Sequence, residues 1–264
     1  MLVFPQLSTG ASGPYPLTKT SRQRSVVNTL GDASLDVYGD PDARGLAWEL
    51  RAKGLTTAEW GAIEALFLAT SGMWQSFTFL DPAGNLLAES ESFGASAWTN
   101  GALMSLTPGA IDPFGTTRAT LVTNAGSATE AIAQILPVPG SFHYCLSIWA
   151  RAGSVANATL SISTSGGSAT KSFALGTQWA RVSLSANLGQ STNLVTFGVQ
   201  VSAGGAINIF GMQVEAQLGA SDYKQTGTIG GVYPNARFDA DTITVTAQGT
   251  DVNDAVIRIV NTEN

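Results

Sequence analysis

Ser76–Asn100 reads "SFTFLDPAGNLLAESESFGASAWTN", and the fold turns on whether the domain that owns its first half ends there. Phe77–Leu80 is a strand-like run, stopped by Asp81-Pro82 and a Gly84-Asn85 turn. From about Ala88 the texture changes. Strand runs recur at Thr117–Asn124, Ala131–Leu136, Phe142–Arg151, Ala158–Thr164, Thr170–Ala174, Ala180–Leu184, Val195–Val201 and Ala206–Glu215, with no helical stripe between them. That spacing predicts an antiparallel sandwich or jelly roll. Residues 90–226 hold five acids and five bases, so the rest of the chain carries the whole net charge of −6.

The flanks complement one another. The tail offers two strands, Thr242–Ala247 and Ala255–Val260. A hairpin alone is marginal in water and needs a partner sheet. Residues 1–88 supply one, with strands expected at Leu2–Leu7, Ser25–Asn28, Ser34–Val37, Gly45–Lys53 and Trp74–Leu80, and turns at "TLGDA" and "GDPDARG". In Gly45–Lys53, Leu46, Trp48, Leu50 and Ala52 alternate with Glu49, Arg51 and Lys53, the mark of a half-buried strand. One helix is expected at about 57–71. Thr56 and Glu59 have capping-box spacing, Leu55 and Trp60 form a hydrophobic staple, Trp60, Ile63 and Phe67 make an apolar stripe, and Gly72 stops it. The expectation is a mainly β chain. Residues 1–88 and 227–264 form a discontinuous β-barrel or sandwich scaffold with one α-helix, and 89–226 form an inserted β-sandwich. Insertion into a surface loop is cheap because loop-closure entropy grows only logarithmically with length.

Composition narrows the function. Only 12% of residues are charged, so hydroxyls carry much of the solubility, and the sequence pI is about 4.7. No basic stripe extends beyond "KTSRQR" (Lys19–Arg24), which argues against sequence-specific nucleic-acid binding. The single cysteine, Cys145, cannot form an internal disulfide and reads as a buried apolar residue. "MLVFPQLSTG" lacks the basic n-region of a signal peptide, and no run approaches the ~18 apolar residues of a membrane span. Synthesis and folding in the cytoplasm are expected.

Catalytic groups are scarce. His143 and Cys145 share a strand face, an arrangement more common in packing than in a thiolate–imidazole pair. Ligands for zinc are too few. A glycosidase needs two carboxyls across a cleft, and the insert offers Glu91, Asp112, Glu130, Glu215 and Asp222 with no pairing legible. Glu215 or Asp112 is either a calcium ligand or a surface carboxylate. No Gly-Lys-Ser/Thr follows the glycine runs, so no phosphate loop is present. The chain is expected to be no enzyme and to need no cofactor or metal. Saccharides stack on aromatic faces. In "CLSIWARA", Trp149 shares a face with Cys145 and Ser147, opposite Tyr144, Leu146 and Ile148, and one of these faces is core. Among the insert's aromatics, Trp98 and Trp179 lie next to loops and, with Tyr223, are the candidate carbohydrate contacts; core filling is the competing role for each.

"FPQLSTGASGPYPLTKTSRQRSVVN", "WELRAKGLTTAEWGAIEALF", "FTFLDPAGNLL" and "DTITVTAQGTDVNDAVIRIV" together resemble phage distal-tail and tail-tube-like proteins, including gene-transfer-agent-like forms. "SAWTNGALMSLTPGAIDPFGTTRATLVTN", "FHYCLSIWARAG", "TQWARVSLSA" and "IFGMQVEAQLGASDYKQT" are similar to carbohydrate-binding-module-like jelly rolls of phage tail proteins. The resemblance implies a structural virion component whose scaffold forms a homo-oligomeric ring at the distal end of the tail tube. It implies tube and tip proteins as partners, DNA only in transit through a channel, no membrane insertion, and an outward module for host-surface saccharides. Scaffold acidity then either repels phosphate in the channel or merely aids solubility. Lys19, Arg22 and Arg24, with Asp40, Asp42 and Arg44, are the expected subunit-interface residues. The rival readings are a glycan-binding adhesin, with the insert as its working part, and a wall-degrading hydrolase.

Overall fold

The computed structural model describes residues 1–154 and 157–262, with the side chains of 40–44 and 262 outside that description. In chain order the first elements are β1 (Leu17–Thr29), β2 (Leu35–Leu55), α1 (Thr57–Ala69), β3 (Phe77–Leu80), β4 (Thr99–Asn100) and β5 (Met104–Ala110). Next come β6 (Ala119–Asn124), β7 (Glu130–Leu136), β8 (His143–Ala152), β9 (Asn157–Thr164) and β10 (Gly167–Ala174). The last are β11 (Ala180–Asn187), β12 (Val195–Val201), β13 (Ala206–Glu215), β14 (Val232–Phe238), β15 (Val245–Gly249) and β16 (Val252–Thr262). The described residues are mainly β with one helix. Two compact units emerge: one of Met1–Ser8, Gly13–Phe79 and Tyr233–Asn264, the other of Thr9–Ser12 and Leu80–Val232.

The first unit is built on a six-stranded sheet ordered β1-β2-β16-β14-β3, with β15 added beside β16. The alternation read in β2 holds: Trp48, Leu50 and Ala52 are buried, while Arg51 and Lys53 are exposed. Arg258 of β16 stands opposite Glu49, and Arg51 and Arg258 both pair with that carboxylate, at 2.6 and 3.0 Å. On the inner face Trp48 packs against Phe79 and Tyr233 with ring centroids 5.0 and 4.8 Å apart, and Phe238 meets Phe77 at 4.9 Å and Phe67 at 5.2 Å. Such buried rings dominate core energetics, and truncating one to alanine costs about 3–5 kcal/mol.

Helix α1 buries Trp60, Ile63 and Leu66 on that core. Its capping box is complete: Thr56 Oγ1 accepts from Glu59 N at 3.1 Å, and Glu59 Oε2 accepts from Thr56 N at 2.9 Å. The other carboxylate oxygen accepts from Ser8 N and Oγ, tying the N-terminal segment to the helix. The helix ends at Ala69, two residues before the expected Ser71, because Ser71 and Gly72 both turn left-handed (φ 52° and 68°). Gly72 is needed twice over, since a Cβ there would lie 2.5 Å from Asp241 Oδ1.

Two expectations for this unit need correction. Leu2–Leu7 forms only a parallel bridge between Val3 and Thr78, because Pro5 has no N–H to continue a ladder. "GDPDARG" is not a turn: β2 runs through it, and one residue of β1, Gln23, stands against the four residues 41–44 as a bulge. The strand survives its turn-like residues because β1 pairs on both sides of them. The outcome is one long hairpin whose far half, Arg24–Thr29 against Leu35–Asp40, pairs with no third strand among the described residues. Its turn closes through Leu30 N to Ser34 O at 2.8 Å, with Asp32 Oδ1 accepting from Ser34 N and Oγ.

The second unit is a sandwich of two antiparallel five-stranded sheets, ordered β10-β9-β12-β7-β4 and β11-β8-β13-β6-β5. Tyr144, Leu146 and Ile148 of β8 face the core with Phe197, Leu160, Ile162 and Val122. Leu80, Leu86 and Leu87, from the opening stretch, belong to this core as well. In β13 one extra residue lies between Phe210, opposite Trp149, and Gln213, opposite Ser147. Gly211 takes the left-handed conformation (φ 62°) that this bulge requires. Inward residues therefore change from Ile207 and Ile209 to Met212 and Val214. Buried Asn85 locks the irregularity, giving Nδ2 to Met212 O and accepting from Val214 N, at 2.9 and 3.0 Å.

Candidate functional site

The outer face of the β11-β8-β13-β6-β5 sheet collects the second unit's surface chemistry. The register sets Arg181 opposite Trp149 and Phe210 on the far side of Trp149, so the three form a row across β11, β8 and β13. One step along, Asn208 stands opposite Arg151, and the Arg151 guanidinium lies 4.9 Å from the Trp179 ring centre. Tryptophan and arginine thus alternate on β8 and at the start of β11.

The loop after β5 presents a further ring. Asp112 Oδ1 accepts from Phe114 N and Thr116 N at 2.8 and 3.0 Å, and Oδ2 accepts from Thr116 Oγ1 and from Arg118 Nε. Burial opposes ionisation of Asp112, but these donors outweigh it and hold the carboxyl below its ordinary range. The pinned loop leaves Phe114 60% exposed, with its ring edge-on to Trp149 at 6.1 Å and to Phe210 at 5.9 Å. Arg118 lies over Phe210 at 5.0 Å and pairs with Glu91 at 3.1 Å.

Residues 216–226 return across the other half of this face. Glu215 accepts from Lys224 Nζ at 2.8 Å and from Ser221 N at 3.0 Å, and Gln213 Oε1 accepts from Lys224 N at 2.7 Å. Glu215 is buried, which disfavours its charge, yet Lys224 and Ser221 keep its carboxyl below the usual range. Beneath lies Cys145, whose thiol is pushed up to about 11 by burial and by the Glu215 charge. His143 Nε2 is 2.8 Å from Ser185 Oγ, across the strand pair.

The expected site residues separate. Trp98 is a correction: it is 6% exposed, packs 5.1 Å from Phe93 and gives its indole N–H to Glu89 O. Its neighbouring loop suggested exposure, but the ring fills the core. Trp179 and Tyr223 share the face just described, Tyr223 packing 5.4 Å from Phe210 and giving its hydroxyl to Glu91. Phe114, Trp149 and Arg151 complete the grouping, and the alternation of "CLSIWARA" already set Trp149 on the face opposite Tyr144. Glu215 and Asp112 are engaged by side-chain and backbone donors, and the described residues contain no cluster of metal-ligating side chains.

In the first unit, Arg22 and Arg24 are exposed on β1, and Lys19 Nζ lies 5.6 and 5.8 Å from the Trp48 and Tyr233 rings. The side chains of Asp40, Asp42 and Arg44 fall outside the described residues. An open cleft of about 650 Å³ is lined by Glu49, Arg51, Thr244, Asp254 and Arg258. Among the described residues no helix is long and apolar enough to cross a membrane.

No protein-family model matches the chain, and no curated protein does. Solved structures do. The enzymatically active domain of tailspike protein 4 from bacteriophage CBA120 is similar at TM-score 0.40 and 15% identity, covering 50% of this chain and 21% of its own. The chain therefore spans about a fifth of that tailspike domain. A xylan-binding domain of carbohydrate-binding-module family 22 matches at TM-score 0.40 and 16% identity, over 53% of this chain and 99% of its own. The tandem family-22 modules of Paenibacillus barcinonensis Xyn10C match at TM-score 0.42 and 14% identity, over 66% of this chain and 60% of theirs. The sandwich is defined by its own strand order, and no residue role is transferred from these matches.

Proposed function

We propose that the chain is a non-enzymatic structural component of a phage tail or related particle, in which the first unit closes with copies of itself into a ring and the second holds a host-surface saccharide. One observation carries the assembly reading: the far half of the β1–β2 hairpin has an apolar face that nothing among the first unit's described residues covers. Cross-strand pairing puts Val27 beside Val37 and Thr29 beside Leu35, and Val27, Val37 and Leu35 are 55%, 58% and 64% exposed. A two-stranded ribbon exposed on both faces is marginal by itself, and its long outer edge is a template for pairing. A second copy supplies both missing contacts. The resemblance of the flanking segments to distal-tail proteins supports the same assignment.

Light scattering combined with negative-stain imaging tests it. Closed rings at micromolar concentration are the expected result, and a single-chain mass at every concentration overturns the ring. A second reading, an adhesin in which the sandwich alone does the work, is favoured by the exposed Phe114 beside Trp149 and Trp179. A monomer that binds glycans selects that reading.

A further inference from the structure

The geometry points to a carboxylate-bearing saccharide, a chain containing hexuronic acid, as the ligand of the Trp149–Arg151–Trp179–Arg181 grid; this deepens the saccharide reading above and rests on it.

The second unit has five bases: Arg118, Arg151, Arg181 and Lys224 lie on or beside one sheet, and Lys171, on β10 of the other sheet, reaches it. Arg118 is matched by Glu91 and Asp112, and Lys224 by Glu215. Lys171 gives its ammonium to Ser183 O on β11. Arg181 donates to Ser147 Oγ and Ser221 O, with no carboxylate partner among the described residues. Arg151 makes neither an ion pair nor a hydrogen bond there; its guanidinium only approaches the Trp179 ring. Asp222, the remaining acid of the returning segment, pairs with neither arginine among the described residues. Two cationic side chains thus stand on neighbouring strands without a carboxylate partner among the described residues, and of the two only the Arg151 fork is not taken up by hydrogen bonds.

The grid is also short of acceptors. Trp149 Nε1, Trp179 Nε1 and Arg181 Nε are donors with no hydrogen-bond partner among the described residues, but they are covered, so the donor surface left to a ligand is the Arg151 guanidinium. Indole and guanidinium groups donate and cannot accept. A carboxylate is the complementary group, since it only accepts, and a guanidinium fork takes its two oxygens side by side. Phe114 and Trp149, beside these donors, supply the apolar surface that a pyranose C–H face requires. A neutral saccharide fills the aromatic part and leaves Arg151 unmatched. A hexuronate fills both.

Titration calorimetry with hexuronate oligosaccharides, and with the same oligosaccharides after carboxyl reduction, tests this in the full chain. The acidic form is expected to bind at least tenfold more tightly at low salt. Arg151→Gln is expected to erase that difference while binding the reduced form as wild type does. Equal affinity for the two forms, or an Arg151→Gln variant that still discriminates, overturns the anionic inference and leaves the saccharide reading standing. Binding of neither form overturns both. A thermal melt of Arg151→Gln matching wild type shows that lost discrimination is not lost folding, and Phe114→Ala, expected to weaken both forms alike, reports the stacking contribution separately.

Discussion

Val27→Asp separates an assembly surface from a folding surface. In the isolated chain Val27 is 55% exposed and stands opposite Val37 on the unpaired half of the hairpin. A substitution at such an exposed position changes folding stability by about 0.5 kcal/mol or less. Assembly is different if a neighbouring copy covers this face. Full burial of a valine contributes about 1.5–3 kcal/mol, so covering its exposed half contributes roughly 1 kcal/mol, which the variant loses. The new carboxylate must also be desolvated without a partner, at a cost of several kcal/mol after relaxation. Together these weaken each contact by about 3–5 kcal/mol, which at about 1.4 kcal/mol per factor of ten is a hundredfold to several thousandfold. Sedimentation velocity across a concentration series reads the association, and urea melts at a concentration where both proteins are monomeric read the fold. The reasoning predicts unchanged melts and lost assembly. A variant that assembles like wild type refutes it, as does one whose melt shifts by several kcal/mol, because Val27 would then be supporting the fold.

Glu59 gives a pH test: burial opposes its charge, but donors from Ser8 and Thr56 hold its carboxyl at about 2, against an ordinary value of 4.5. Its folded-state value is depressed, so its contribution is complete above pH 4.5 and is lost as pH falls toward 2. Glu59→Ala should cost about 1–2 kcal/mol at pH 7 through the lost cap, and urea midpoints should show the gap narrowing between pH 4.5 and 2; a gap independent of pH contradicts this. Cys145, buried with its thiol near 11 against an ordinary 9.0, should be about 1% thiolate at pH 9 in the folded chain and about half in the unfolded one. Maleimide labelling at pH 9 should therefore proceed only on addition of denaturant, and rapid labelling of the native chain contradicts the burial.

Signals carried by neighbouring residues were legible in the sequence. Thr56 and Glu59 start α1 by contacts three residues apart, and the period of two in β8 and β12 gives their faces directly. Signals that depend on a distant partner were not. The turn-forming residues of "GDPDARG" suggested a break, but pairing with β1 carries β2 through them. β14 and β5 were missed because Pro234, and Pro108 with Gly109, break the local strand pattern, whereas each strand is held by its neighbour. The same limit governs the site. Alternation set Trp149 on the face opposite Tyr144, but its placement against Arg181 and Phe210 depends on cross-strand register and on the bulge at Gly211. Trp98 failed as a surface candidate for a related reason: its loop is local, while the core that takes its ring is assembled from remote strands.

Amide hydrogen exchange of residues 24–29 and 35–39, followed as a function of protein concentration, reaches the account's central claim most directly. A ribbon covered by a second copy gains protection as concentration rises, with the outward amides of β1 slowing along with the rest. Fast exchange at all concentrations would mean that no copy ever docks on this arm, and the ring would have no contact to close it.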